Sequence, residues 1–195
     1  MRRAIRRALA SRWGYILLVL TTATGCASSP EVPIEGLDDV PAYAVGIREP
    51  ATMSAADADI PPEKSVIGVC VDNQCRAYLI ESFTMQPGHE ITLGANDASM
   101  QALGRHVVND LIGEMPISVT YCDSSQCARV FTAEDDESLD LAVGGYHEGE
   151  MQLLLLGKRF SQLAADAPLK DYPFEITTWE KWKARHPATD IYVGG

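Results

Sequence analysis

Two short stretches hold most of the residues with chemical potential. Val69–Leu79 reads VCVDNQCRAYL and Tyr121–Phe131 reads YCDSSQCARVF. In each, four residues separate two cysteines, the insert ends in Gln, and an Arg follows soon after. Three chemistries fit four such cysteines: two disulfide staples, one tetrahedral Cys₄ metal site, or reactive thiols. The spacing constrains the geometry first. Positions five apart point to opposite faces of a continuous strand, and on a helix they sit roughly 140° apart. Only a chain reversal lets Cys122 and Cys127 cooperate, and the same holds for Cys70 and Cys75. Asp, Asn and Ser favour reversals by bonding their own backbone.

Residues that close a hairpin loop face each other across the ladder, within disulfide reach. Of the three possible connectivities, local pairing of Cys70 with Cys75 and of Cys122 with Cys127 is the first choice. The rival is a zinc or copper site drawing on Cys70, Cys75, Cys122, Cys127 and His106. Free or redox-active thiols are the third reading.

His106 opens the run HVVND. Together with Asn109 and Asp110 it makes a polar cluster ahead of Cys122. A His beside Cys122 would activate the thiolate or join a soft metal site, so Cys122 and His106 are the candidate catalytic residues. The plainer reading has these side chains bonding the backbone at the NDLIGEMP turn. His147 falls in a loop. His186 suits a helix C-terminus, where the dipole favours a basic group. His89 carries no special weight.

These side chains need elements to hold them. SVIGVCV and CRAYLIESF flank DNQ and read as a hairpin; PISVTYC and ARVFTA flank DSSQ as a second. SLDLAVGG and EMQLLLLG flank YHEGE as a third, although the Leu run also suits a helical turn. NDASMQALG over 96–104 predicts a short helix, and GKRFSQLAADAP a possible second. TTWEKWKARHP predicts the clearest one: Thr177 or Thr178 as cap, Glu180 in the first turn, basic residues late, Pro187 as stop. Trp179 and Trp182 share a face and should pack on the sheet. The expected fold class is α+β: a β-rich antiparallel sheet or partly closed barrel with a few short helices.

The N-terminus predicts export. Residues 1–25 carry five arginines and no acid, then an apolar run too short to span a bilayer. ATGC resembles a lipobox with Cys26 as the lipidated residue, although Ala23 stands where Leu is usual. The alternative is an ordinary signal peptide with an incidental Cys. Removing 1–25 leaves 11 basic residues against 27 acids, a formal charge of −16. That balance disfavours nucleic acid, which is bound through Lys and Arg. Membrane contact would come from an acyl anchor at Cys26. Residues 26–63 are rich in Pro, Ala and acids and read as a largely disordered tether. The expected organisation is signal 1–25, tether 26–63 and one globular domain 64–195.

VIGVCVDNQCRAYLI, HVVNDLIGEMPISVTYC, ARVF and TTWEKWKARHPATDIYV together resemble the bacterial family numbered 3179 among domains of unknown function. The resemblance names a domain without naming a reaction. It implies a His of the kind at His106 and a T-Y-C-x-x-C-like segment, sometimes with selenocysteine, which hints at redox chemistry in relatives. This chain keeps Cys122 but has Ser125 at the second position, and Cys127 falls two residues later. The Cys70/Cys75 pair also departs from the family's G-x-A-R-A-Y form.

Haem-attachment, zinc-protease, phosphate-loop and nucleophile-elbow motifs are missing. The acidic run 132–140 lacks EF-hand spacing. The sequence therefore predicts a cell-envelope lipoprotein, facing the periplasm, with a disulfide-stapled, non-catalytic binding or structural domain and no cofactor. The alternative is a redox or zinc- or copper-handling protein centred on Cys122, Cys127 and His106. Neither a ligand nor a protein partner can be named from the sequence.

Overall fold

The computed structural model describes residues 44–84, 105–133 and 139–194. In chain order the strands are β1 Ala44–Val45, β2 Ile47–Arg48, β3 Thr52–Ser54, β4 Ser65–Val71, β5 Gln74–Leu79, β6 Val107–Ile112 and β7 Met115–Cys122. They continue as β8 Cys127–Thr132, β9 Ala142–His147, β10 Glu150–Leu155, β11 Lys158–Ser161, β12 Lys170–Asp171 and β13 Glu175–Thr178. Helix α1, Trp179–Arg185, and strand β14, Asp190–Tyr192, follow.

Three sheets result, in the orders β1-β9-β10-β11, β12-β8-β7-β6-β2 and β13-β4-β5-β14-β3. Most neighbours are antiparallel, whereas β2 runs parallel to β6 and β14 parallel to β5. Among the described residues the three sheets stay open and do not close into a barrel. With one seven-residue helix among the described residues, the fold is mostly β rather than α+β.

The side-chain period of two sorts residues into layers. Ile67, Val69 and Val71 of β4 meet Val108, Ile112, Ile117 and Val119 in one core between the third and second sheets. Val107, Cys122 and Phe131, on the other face of the second sheet, meet Val143, Met151 and Leu153 of the first sheet. A third cluster forms where Val66 and Ala77 meet Trp179 and Trp182 of α1. Because β4 is covered on both sides, it reads as a near-continuous apolar run.

The three predicted hairpins form. The first turns at Asp72, with φ of 51°, a left-handed conformation that Asp tolerates. The third turns through Glu148 and Gly149, both with positive φ, matching a two-residue turn suited to strand twist. EMQLLL is thus a strand and not a helical turn.

Several expectations need correction. Residues from Ala44 on, expected to belong to a disordered tether over 26–63, instead contribute strands: β1 pairs with β9, β2 with β6 and β3 with β14. Strands of two or three residues add to existing sheets without any period of their own, which hid them. GKRFSQLAADAP is not helical. Lys158–Ser161 pairs with β10, and Phe160 packs against the core between the first and second sheets. Asn109 and Asp110 lie within β6, and the turn falls beyond Ile112. The expected helix over 96–104, the acids at 134–138, His89, Cys26 and the signal all lie outside the described residues. Among the described residues, no helix is long and apolar enough to cross a membrane.

Helix α1 starts as predicted after Thr178, but the Thr hydroxyl does not cap it. Backbone does so instead: Trp179 N–H donates to the Lys64 carbonyl at 2.7 Å, and Glu180 N–H to Pro62 at 3.0 Å. This ties α1 to the chain entering β4 and seats its two tryptophans on the third sheet.

Candidate functional site

Val66, Gly68 and Cys70 alternate along β4 on the face that receives α1. Gly68 is essential to the packing. A Cβ there would lie 2.1 Å from the Trp182 ring, so only glycine lets the indole lie on the strand. Trp182 is 2% exposed, and its Nε1–H donates to Thr189 Oγ1 at 3.0 Å.

One turn on, His186 caps α1. Its N–H donates to the Trp182 carbonyl at 2.9 Å, and its ring stacks on Trp182 with centroids 4.2 Å apart. This stacking aims the imidazole at the end of the first hairpin. There Cys70 and Cys75 are register partners, joined by a disulfide with Cα atoms 4.1 Å apart. His186 Nδ1 lies 3.3 Å from Cys75 Sγ and 3.9 Å from Cys70 Sγ. Both cysteine carbonyls are also held: Tyr172 Oη donates to Cys70 O at 3.0 Å, and Thr189 Oγ1 to Cys75 O at 2.9 Å. Cys70, Cys75 and His186 are all half-buried, so solvent and small reagents reach them.

The second cysteine hairpin differs. Cys122 and Cys127 are also register partners, yet Cys122 is a free thiol, buried in the core between the second and first sheets. Its Sγ accepts the Ser125 N–H at 3.5 Å. The expected Cys122–Cys127 bridge is therefore not formed. Cys127 Sγ lies 3.4 Å from the Ser125 carbonyl oxygen.

The expected pairing of His106 with Cys122 is replaced by backbone bonding. His106 is fully buried, and its Nδ1 sits 2.9 Å from the Tyr121 carbonyl oxygen. A carbonyl only accepts, so Nδ1 carries the proton there. Tyr121 N–H donates back to the His106 carbonyl at 3.0 Å. Nε2 is buried with no hydrogen-bond partner among the described residues, and the ring meets Tyr146 edge-on at 6.1 Å. Burial, with the nearby Cys122 and Asp123, pushes the Tyr146 phenol far above its ordinary range.

Asn109 and Asp110, neighbours on one strand, face opposite ways and do not form a cluster with His106. Asn109 Nδ2 donates to the Leu141 carbonyl at 2.8 Å, and its Oδ1 accepts from Ser118 Oγ at 2.5 Å, tying the second sheet to the segment entering the first. Asp110 pairs with Arg76 at 2.6 Å and accepts from Tyr78 Oη at 2.6 Å, tying the second sheet to the third. Burial above all, then the Asp110 charge, raises the Tyr78 phenol well above its usual value.

The cysteine pairs lie in different sheets and different cores, which rules out one Cys₄ site. Among the described residues, the single group of three possible metal ligands is Cys70, Cys75 and His186, whose ligand atoms all lie within 4.8 Å of one another. Sequence reasoning missed His186. The spacing of Trp179, Trp182 and His186 on one helical face was the available signal, but the docking of that face on the cysteine hairpin was not.

The arginines that follow each pair are clamps. Arg76 holds Asp110. Arg129 holds Asp171 and donates to the Gln162 and Ala164 carbonyls at 2.7 and 2.6 Å.

No curated protein and no solved structure matches the chain. Residues 99–193 match a family model described as "Protein of unknown function (DUF3179)", a span that takes in His106, Cys122, Cys127 and His186 but starts after the Cys70–Cys75 hairpin. Through that stretch the chain is similar to the DUF3179 family, in agreement with the resemblance read from its motifs.

Proposed function

We propose that this chain is an exported envelope protein, held to the membrane by a lipid on Cys26, whose β-body serves as a binding or structural domain rather than as an enzyme. The Cys70–Cys75 disulfide carries the reading, because such bridges form and persist outside the cytoplasm. The arginine-rich, apolar N-terminus and the ATGC segment support the same address. The acidic charge balance of the sequence suits a solvated domain facing the periplasm, with the acyl chain as its membrane contact. His106, Asn109 and Asp110 bond backbone and neighbouring side chains, as structural groups do.

Fractionation of cells expressing the chain and its Cys26→Ser variant tests this reading. The parent protein should sediment with membranes and yield an N-terminal peptide that begins at acylated Cys26. The variant should be released in soluble form. A parent protein recovered in the cytoplasm with Met1 retained would overturn the proposal.

A further inference from the structure

We infer that Cys70, Cys75 and His186 form a metal site that opens when their bridge is reduced and takes one soft or borderline d¹⁰ ion, zinc or cuprous copper. The inference goes beyond the proposed role. It needs neither the lipid anchor nor a binding partner, and its failure would leave the staple intact.

Three observations carry it. The ligand atoms are already gathered: Nδ1 of His186 is 3.3 Å from one sulfur and 3.9 Å from the other. They come from three places in the fold, the end of β4, the start of β5 and the cap of α1, each fixed by its own contacts. His186 is held by Trp182, and the cysteine carbonyls by Tyr172 and Thr189. Finally, the group is half-buried, open to a reductant and to an ion.

The chemistry balances with a dithiol as the reductant. The dithiol gives two electrons and two protons to the Cys70–Cys75 bond, which breaks into two thiols while the dithiol closes its own disulfide. The ion, Zn²⁺ or Cu⁺, then displaces both thiol protons to solvent and binds two thiolates and the neutral imidazole. Zinc–sulfur bonds of about 2.3 Å at tetrahedral angles set the sulfurs about 3.7 Å apart, a modest separation of side chains on adjacent strands. Three protein ligands leave a fourth position for water or an exchanging ligand. While the bridge is closed, its sulfurs carry no charge and hold no such ion. Thiolate ligands select zinc and cuprous copper over hard cations.

The test uses the mature chain, oxidised and dithiol-reduced, titrated with zinc against a chromogenic chelator. Cadmium is added separately to read thiolate charge-transfer absorption. The reduced protein should bind one ion per chain and the oxidised protein none at the same concentration. His186→Ala should weaken binding at least tenfold, Cys70→Ser should abolish the cadmium band, and Cys122→Ser should leave both unchanged. Near-UV circular dichroism confirms that each variant is folded. If His186→Ala does not fold, the oxidised and reduced parent and the Cys70→Ser variant still decide. Equal binding by both redox forms, no binding by the reduced form, or binding that survives Cys70→Ser would overturn the inference.

Discussion

Two hairpins share one cysteine spacing and end in different chemical states. Cys70 and Cys75 are bridged; Cys122, opposite Cys127, is free. Register places both pairs directly across a ladder, so spacing alone delivers juxtaposition in each case. The faces differ. The first pair lies half-buried on the outer face of its sheet, beside the helix end. Cys122 points between two sheets, fully buried in the cluster that includes Phe131, Met151 and Leu153. Cys127 is itself disulfide-bonded, so its sulfur is already committed and cannot close a bridge to Cys122 across the ladder. The histidines divide in the same way. His186 is aimed at sulfur by a tryptophan, whereas His106 is committed to a backbone carbonyl.

The contrast is open to attack, beginning with the support under the first hairpin. Trp182→Ala should cost about 4 kcal/mol, read from the urea midpoint, because it empties a core site and removes the surface on which His186 stacks. Gly68→Ala should cost about 3 kcal/mol, since its methyl and the indole claim the same space. Replacing Cys70 and Cys75 together by Ser should cost about 2 kcal/mol, the chain-entropy value for so short a loop. Cys122→Ser should cost about 1 kcal/mol by placing a hydroxyl in an apolar core, without altering any bridge. His186→Ala should move stability by no more than about 0.5 kcal/mol, so a larger loss would make this side chain structural.

The sequence made some of this contrast legible. Turn residues between β-branched runs located both cysteine hairpins, and the Trp179/Trp182 pair located α1. The bridge at Cys70–Cys75 was anticipated, but the equal treatment of Cys122–Cys127 was not justified. Spacing reports which residues oppose each other, and not which face of which sheet they occupy. That depends on how three sheets stack, which no local pattern encodes. His186 reaches Cys75 across 111 residues of chain, and Arg76 reaches Asp110 across 34. Both contacts follow from packing of whole elements. The short strands β1 to β3 escaped notice for a related reason: their partners supply nearly all of their order.

The most direct measurement is a thiol map of the native mature protein. The protein is alkylated without reductant, folded and then unfolded, and digested with trypsin. Cys70 and Cys75 fall in one tryptic peptide, 65–76, because Lys64 and Arg76 bound it. The expected result is that this peptide carries no label and gains two hydrogens on reduction. Cys122 should resist the reagent while folded, since access requires opening of the core, and take up label after unfolding. Label on Cys70 or Cys75, or a bridge joining Cys122 to Cys127, would contradict the assignment of different states to the two hairpins.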